Sequence, residues 1–259
     1  SSLLTPTIEK KTNSPATDDL FDTTIDPTPL SASDMKHFHN IVARLAYLAR
    51  LTRPELLLAV SYLVTRVTRS TDGDIAKLHR VIRYLHQSYT SGHRGIVLRP
   101  KHLMAAGWMD ASYAIHENFK SHSACNLSIG DTAFVSNNST SQTIITKSST
   151  EAELVCVSDN ANRLIHLVRF LTAQGHKQHA AIIYQDNMSS MALLQKGRST
   201  STKSKHIAVR FFWIKEQLDS GLIQLQFRPT AMMGPANLLT KPLQGAQFIE
   251  ERLQLTGWK

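Results

Sequence analysis

The stretch Ser148-Ser149-Thr150-Glu151-Ala152-Glu153-Leu154 decides how this chain is read. It follows a β-rich run over 104–146 and opens an apolar run of helical period that continues towards Leu171, so it marks a strand-to-helix boundary. Ser148 and Glu151 stand at capping-box spacing, where the hydroxyl accepts a first-turn N–H and the acid reaches back to the cap. That device accounts for Glu151 and leaves Glu153 without a local role. Helical spacing sets Glu153 beside Leu154 and one turn before Val157, which turns its carboxylate towards the sheet rather than plainly into solvent. An exposed helix carboxylate is the plainer reading of any single Glu. The choice depends on what else the chain carries.

The 259 residues, 42% of them hydrophobic, suffice for one large domain or two modest ones with real cores. Lys and Arg number 29 against 20 Asp and Glu, a net charge of +9 that favours polyanionic partners such as nucleic acid or an anionic membrane surface. No apolar run approaches the roughly 18 residues of a membrane span, and the first residues form no secretory core. Cytosol or nucleus, without a membrane partner, is the expected setting. Cys125 and Cys156 are too few for a disulfide framework or a structural zinc site and read as small packed residues.

Residues 1–33 are rich in Thr, Pro, Ser and Asp and are expected to form a flexible or extended lead-in. Helical periodicity then dominates 34–98. Ile41, Leu45 and Leu48 form one stripe, Pro54 fits the first turn before Leu57, Val60 and Leu63, and Thr71 or Asp72 caps a third helix through Leu78 and Leu85. Arg44, Arg50, Arg53, Arg66, Arg69, Lys77, Arg80 and Arg83 read either as a nucleic-acid track or as an ordinary solvated face. A boundary is expected between Tyr89 and His102, at Ser91-Gly92 and Arg99-Pro100. Over 103–259 the pattern is different. Short strands are predicted at 104–110, 123–129, 132–135, 142–146, 180–184 and 222–227, with helices at 149–173, around Met191, and at 206–219, 236–239 and 247–255. That order defines an α/β class with a mixed sheet and helices packed on it.

Three carboxylates recur at strand ends in this part: Asp110 closing the first strand, Glu153 at the start of the long helix, and Asp186 after the strand through Ile182 and Ile183. Strand ends and the helix starts that follow them share one edge of a sheet, where α/β folds place their sites. If the three converge, their repulsion must be offset by a cation. All-oxygen ligation with open positions suits Mg²⁺ or Mn²⁺, and two such ions can activate water and stabilise a leaving oxygen in phosphodiester cleavage. Taken singly, Asp110 or Asp186 reads equally well as the cap of a helix or turn.

Five stretches make the chain recognisable: FHNIVARLAYLARLTRPELLLAVSYL from Phe38, Asp110-Ala111-Ser112-Tyr113, SSTEAEL from Ser148, YQDN from Tyr184, and LLTKPLQGAQF from Leu238. In that order and spacing the chain resembles, from about Asp22 to Trp258, the C-terminal part of a copia-type LTR-retrotransposon Pol polyprotein: the end of the reverse transcriptase followed by its RNase H domain. The resemblance implies an RNase H-like mixed five-stranded sheet with flanking helices over 103–259, preceded by a small all-helical unit over 34–98 that is thumb-like or connection-like. It also implies a two-ion Mg²⁺ (or Mn²⁺) site that hydrolyses the RNA strand of an RNA–DNA hybrid. Asp110, Glu153 and Asp186 match the first three of its four carboxylates, Glu153 being favoured over Glu151 because the family's Glu directly precedes an apolar residue, here Leu154.

The fourth position departs from the family, which reads Ala-Asp where this chain has Ala236-Asn237. Asn offers a carbonyl oxygen but no charge and takes no proton. A weakened enzyme or a catalytically inactive nucleic-acid-binding remnant follows from that change. The basic segment with Arg198, Lys203, Lys205 and His206 is implied to touch hybrid phosphates, and reads equally as a solvated loop. The acidic polymerase motif is absent from this sequence, so no DNA synthesis is expected from it, and the remainder of a Pol polyprotein is the implied partner besides the hybrid.

Overall fold

The computed structural model describes residues 11–130, 132–197 and 205–258, the side chains of 205–208 excepted. Helix α1 (Ala32–Leu51) starts where the Ser31 hydroxyl accepts the Asp34 N–H, and it buries Phe38, Val42, Leu45 and Ala49, one residue per turn along a single stripe. Pro54 opens a single 3₁₀ turn that runs directly into α2 (Leu57–Arg66). Helix α3 (Asp72–Thr90) begins with a complete capping box between Thr71 and Asp74. The expected three-helix unit is therefore present, with its first helix starting a few residues earlier than its apolar stripe.

Five strands follow: β1 (Ala105–Ser112), β2 (His122–Ile129), β3 (Ala133–Ser141), β4 (Ala181–Gln185) and β5 (Ile223–Phe227). Their spatial order is β3-β2-β1-β4-β5, with β1–β2 and β2–β3 antiparallel and β1–β4 and β4–β5 parallel. Between and after them lie α4 (Ser149–Ala173), α5 (Met188–Lys196), α6 (Lys205–Asp219), α7 (Gly234–Leu238) and α8 (Gly245–Thr256). This is the RNase H-like mixed five-stranded sheet with flanking helices, and β1 sits at its centre.

One strand expectation is corrected. Residues 142–146 are not a strand, and the short strand expected at 132–135 instead continues through the polar run to Ser141. Hydrophobic alternation fails over Ser136–Ser141 because backbone pairing with β2, not apolar burial, holds that edge. Gln142 then leaves the ladder, and its amide donates to Ser123 Oγ and the Ala152 carbonyl, both at 2.8 Å, steering the chain into α4.

Alternation along β1 divides the core. Ala106 and Trp108 face one apolar cluster with Phe134, Tyr184 and the helical unit, while Ala105, Met109 and Ala111 face a second one under α4 and α6. The two helical layers thus cover opposite sheet faces, and the segment 32–90 shares a continuous core with the sheet. The connection at 91–104 is also fastened: the Val97 N–H donates to the Thr256 carbonyl at 2.8 Å, and Trp258 Nε1 donates to the Gly95 carbonyl at 2.6 Å. Gly257 (φ 71°) closes α8 where a Cβ would lie 2.0 Å from the Val97 carbonyl oxygen.

Two further expectations are refined. From Lys11 onward the lead-in is extended chain anchored to the helices at a few points: Ala16, Leu20 and Leu30 are buried, and Phe21 meets the Tyr62 ring edge-on. Its few apolar residues suffice because they join the core cluster of the helical segment, while residues 1–10 lie outside the described residues. The eight basic residues do not form one solvent track. Arg53 and Arg66 are interior, at 2.7 Å from Glu55 and 3.0 Å from Asp74 respectively, because each guanidinium is the charge partner of a buried carboxylate. Among the described residues no helix is long and apolar enough to cross a membrane.

Candidate metal centre

Asp110 lies near the end of the central strand, and Asp186 directly follows the parallel neighbour β4, so both carboxylates leave the same edge of the sheet. Glu153 reaches that edge from the first turns of α4. There the Ser148 hydroxyl accepts the Glu151 N–H at 3.2 Å, and Glu151 turns back to accept the N–H of Lys147 at 2.8 Å. The expected capping box is thus displaced by one residue on its return arm, and it leaves Glu153 facing inward. Asp110, Glu153 and Asp186 each bring an oxygen within 4.8 Å of the others. Asp110 and Glu153 are buried, and Asp186 is half-buried.

Each carboxylate has its own orienting donor. Gln185, fully buried, donates from Nε2 to Glu153 Oε2 at 3.2 Å, the Thr230 hydroxyl donates to Asp186 Oδ2 at 2.7 Å, and the Thr240 hydroxyl donates to Asp110 Oδ2. The Thr240 segment is itself fixed to the sheet. Ser112 Oγ donates to the Thr240 carbonyl at 3.1 Å, and Ser139 Oγ donates to the Leu239 carbonyl at 2.7 Å. Beneath Asp110, the Cys156 thiol sits 3.2 Å from the Asp110 and Ala124 carbonyls, and burial holds it well above the ordinary thiol range. Cys156 is a small, fully buried packed residue.

Electrostatics identifies what this edge needs. Burial raises the Glu153 carboxyl well above its ordinary value, and the neighbouring charges of Asp110 and Asp186 add to that. Burial also raises Asp110, against the opposing pull of Lys241 and Thr240. Among the described residues, the three crowded carboxylates have the Lys241 ammonium beside them, its Nζ 3.7 Å from Asp110 Oδ2, and that single charge leaves them short of positive charge. A hard divalent cation fits this all-oxygen donor set, and Mg²⁺ or Mn²⁺ is the class it suits.

The fourth expected position stands beside this cluster. Asn237, buried on α7, donates from Nδ2 to the Thr230 carbonyl at 2.8 Å, and its Oδ1 accepts from Lys241 Nζ at 3.0 Å. It therefore reaches Asp110 through Lys241. Glu251 on α8 was not anticipated: burial pushes its carboxyl up to about 7, with Gln247 and Lys241 pulling it back. Gln185, Thr230, Thr240 and Lys241 were also missed as site residues. Three of them lie inside or beside the recognised stretches YQDN and LLTKPL, which was the available signal. Of the expected phosphate contacts, Arg198 and Lys203 lie outside the described residues, and Lys205 and His206 open α6 with side chains outside that description.

Fold and site together define an RNase H-like α/β chain with a carboxylate cluster at the strand-end edge of its sheet. Its homologues are retrovirus-related Pol polyproteins of plant transposons. It is 31% identical over 217 residues to the retrovirus-related Pol polyprotein from transposon RE2 of Arabidopsis thaliana, an alignment covering 83% of this chain and 14% of that protein. The chain thus spans only about a seventh of that relative's length. Among solved structures, it is similar to the foamy viral protease-reverse transcriptase in complex with RNA/DNA hybrid, at TM-score 0.48 and 12% identity, over 83% of this chain and 27% of that one. It is also similar to RNase H1 from the archaeon Halobacterium salinarum, at TM-score 0.36 and 15% identity, over 52% of this chain and 93% of that one. No protein-family profile matches the chain.

Proposed function

We propose that the chain is a retrotransposon-derived ribonuclease that hydrolyses the RNA strand of RNA–DNA hybrids with the help of divalent metal. The observation that carries this reading is the convergence of Asp110, Glu153 and Asp186 to within 4.8 Å at the strand-end edge, with two of the three buried. These three residues would hold the metal, and Mg²⁺ or Mn²⁺ there supplies an activated water and charge stabilisation for the leaving oxygen. The remaining residues prepare the site. Gln185, Thr230 and Thr240 each fix one carboxylate by a hydrogen bond, so the acceptor oxygens are oriented before substrate arrives. Arg198, Lys203, Lys205 and His206 are assigned to phosphate contacts with the hybrid, and the helical unit over 34–98 to the thumb-like or connection-like role of gripping the duplex. The remainder of a Pol polyprotein is the protein partner this reading carries, with action in the cytoplasm or nucleus.

A second reading has a specific observation in its favour. The single oxygen of Asn237 is occupied by Lys241, which fits a catalytically inactive, nucleic-acid-binding remnant. Incubation of a labelled RNA–DNA hybrid with the purified chain in Mg²⁺ or Mn²⁺, beside Glu153→Gln, separates the two. Cleavage by the wild type that the variant loses supports the enzyme; salt-sensitive hybrid binding without cleavage by either supports the remnant.

A further inference from the structure

Lys241 follows α7 and turns its ammonium into the carboxylate edge, 3.0 Å from Asn237 Oδ1 and 3.7 Å from Asp110 Oδ2. Both polar ends of Asn237 are committed, Oδ1 to Lys241 and Nδ2 to the Thr230 carbonyl at 2.8 Å, and the residue is 3% exposed. A carbonyl oxygen that accepts from an ammonium cannot also face a second divalent ion without forcing two positive centres together. Asp110 Oδ2 accepts the Thr240 hydroxyl and has the same ammonium 3.7 Å away as an ion-pair partner.

We propose that Lys241 is the built-in cation of this site, standing on the side of Asp110 that a second divalent ion would need, so that the site takes a single ion on Asp110, Glu153 and Asp186. The inference rests on the metal-dependent reading above and changes its stoichiometry. Charge among the described residues supports it: one divalent ion and the Lys241 ammonium match Asp110, Glu153 and Asp186, whereas a second divalent ion would add two positive charges beside a neutral Asn237. Asn237 on this account is the positioning residue of Lys241. A carboxylate introduced there would tighten its hold on the ammonium rather than recruit metal.

The test is titration of the full chain with Mn²⁺, without hybrid, followed by calorimetry and by the electron paramagnetic resonance signal of free Mn²⁺. Wild type is expected to bind one ion. Lys241→Gln, at a side chain 42% exposed and so tolerant of change, is expected to bind that ion on the order of tenfold more tightly or better, because a nearby positive charge is gone. Asn237→Asp alone should still bind one ion, and the double variant Asn237→Asp/Lys241→Gln should bind two. Two ions in the wild type, or an affinity indifferent to Lys241→Gln, overturns the inference and leaves the metal site standing. No Mn²⁺ bound by the wild type or any of these variants overturns the metal-dependent reading and the inference with it.

Discussion

Replacing Glu153 by Gln should make the metal-free protein more stable while removing the metal-dependent cleavage proposed above, a combination that an ordinary surface Glu would not produce. The carboxylate oxygens of Glu153, Asp110 and Asp186 lie within 4.8 Å, and at an effective dielectric near 20 two full charges at that spacing repel by roughly 3 kcal/mol. Part of that repulsion is already relieved in the wild type by proton uptake, since burial raises Glu153 well above its ordinary value. The amide keeps an oxygen for the Gln185 donor, now 3.2 Å from Glu153 Oε2, so little hydrogen bonding is lost. A net gain of roughly 1–2 kcal/mol follows at neutral pH, or about 2–8 °C in Tm for a chain of this size. The pH dependence has a definite sign. A carboxyl whose folded pKa is raised binds more protons in the folded state than in the unfolded one, so stability falls as pH rises from the unfolded Glu value through the raised folded value. The advantage of Glu153→Gln should therefore be largest above that folded value and become small near pH 4, where the unfolded carboxyl is mostly protonated as well. Circular-dichroism melts in chelator between pH 4 and 8, repeated with Mg²⁺, measure this directly. Metal should raise the Tm of the wild type and leave the variant unmoved. A variant that melts below the wild type in chelator at pH 8, or that is still stabilised by Mg²⁺, would refute the reasoning.

Two other sites give independent expectations. Arg53→Ala removes the guanidinium partner of the fully enclosed Glu55, leaving it only His93 at 3.6 Å and the Tyr84 hydroxyl at 3.5 Å, and takes from Ser88 its 2.6 Å donor, so urea unfolding should show a loss of about 3 kcal/mol, whereas Arg53→Met with Glu55→Leu should recover most of it; equal losses in both would remove the buried pair as the cause. The hydrogen-bonded pair His116 Nε2 and His122 Nδ1, 2.9 Å apart with His122 Nε2 also 2.7 Å from Ser139 Oγ, is kept neutral by burial, at about 4 and about 3 respectively. Depressed histidines contribute stability that is present above the unfolded value near 6.5 and is lost as pH falls towards the folded values, so His122→Phe should flatten the acid side of the stability profile between about pH 6.5 and 3; an unchanged slope would count against it.

Much of the fold was legible from local pattern. The helix over Ser149–Ala173, with Ser148 at its cap, coincides with its predicted span because period and capping depend on residues a few positions apart. Glu153 could be singled out because the local cap explained Glu151 and left it over. The polar run Ser136–Ser141 could not be read as a strand, since its conformation comes from pairing with β2 and not from its own alternation. Arg53 and Arg66 read as surface charge, because nothing in their neighbourhood along the chain announces that Glu55 and Asp74 are enclosed with them.

Residue identity and order determined that this protein has an α/β part preceded by helices and that three carboxylates end up at element boundaries. Only the tertiary structure decided that the lead-in from Lys11 belongs to the core, that the helical unit covers one face of the sheet, and that Asn237 meets Lys241 rather than standing open beside Asp110. The physical reason is distance along the chain. Periodicity, caps and turns are set by neighbours within a few residues, whereas burial and charge pairing depend on groups as far apart as Asp110 and Thr240, which meet only because parallel strands and the segment after α7 are folded onto one edge.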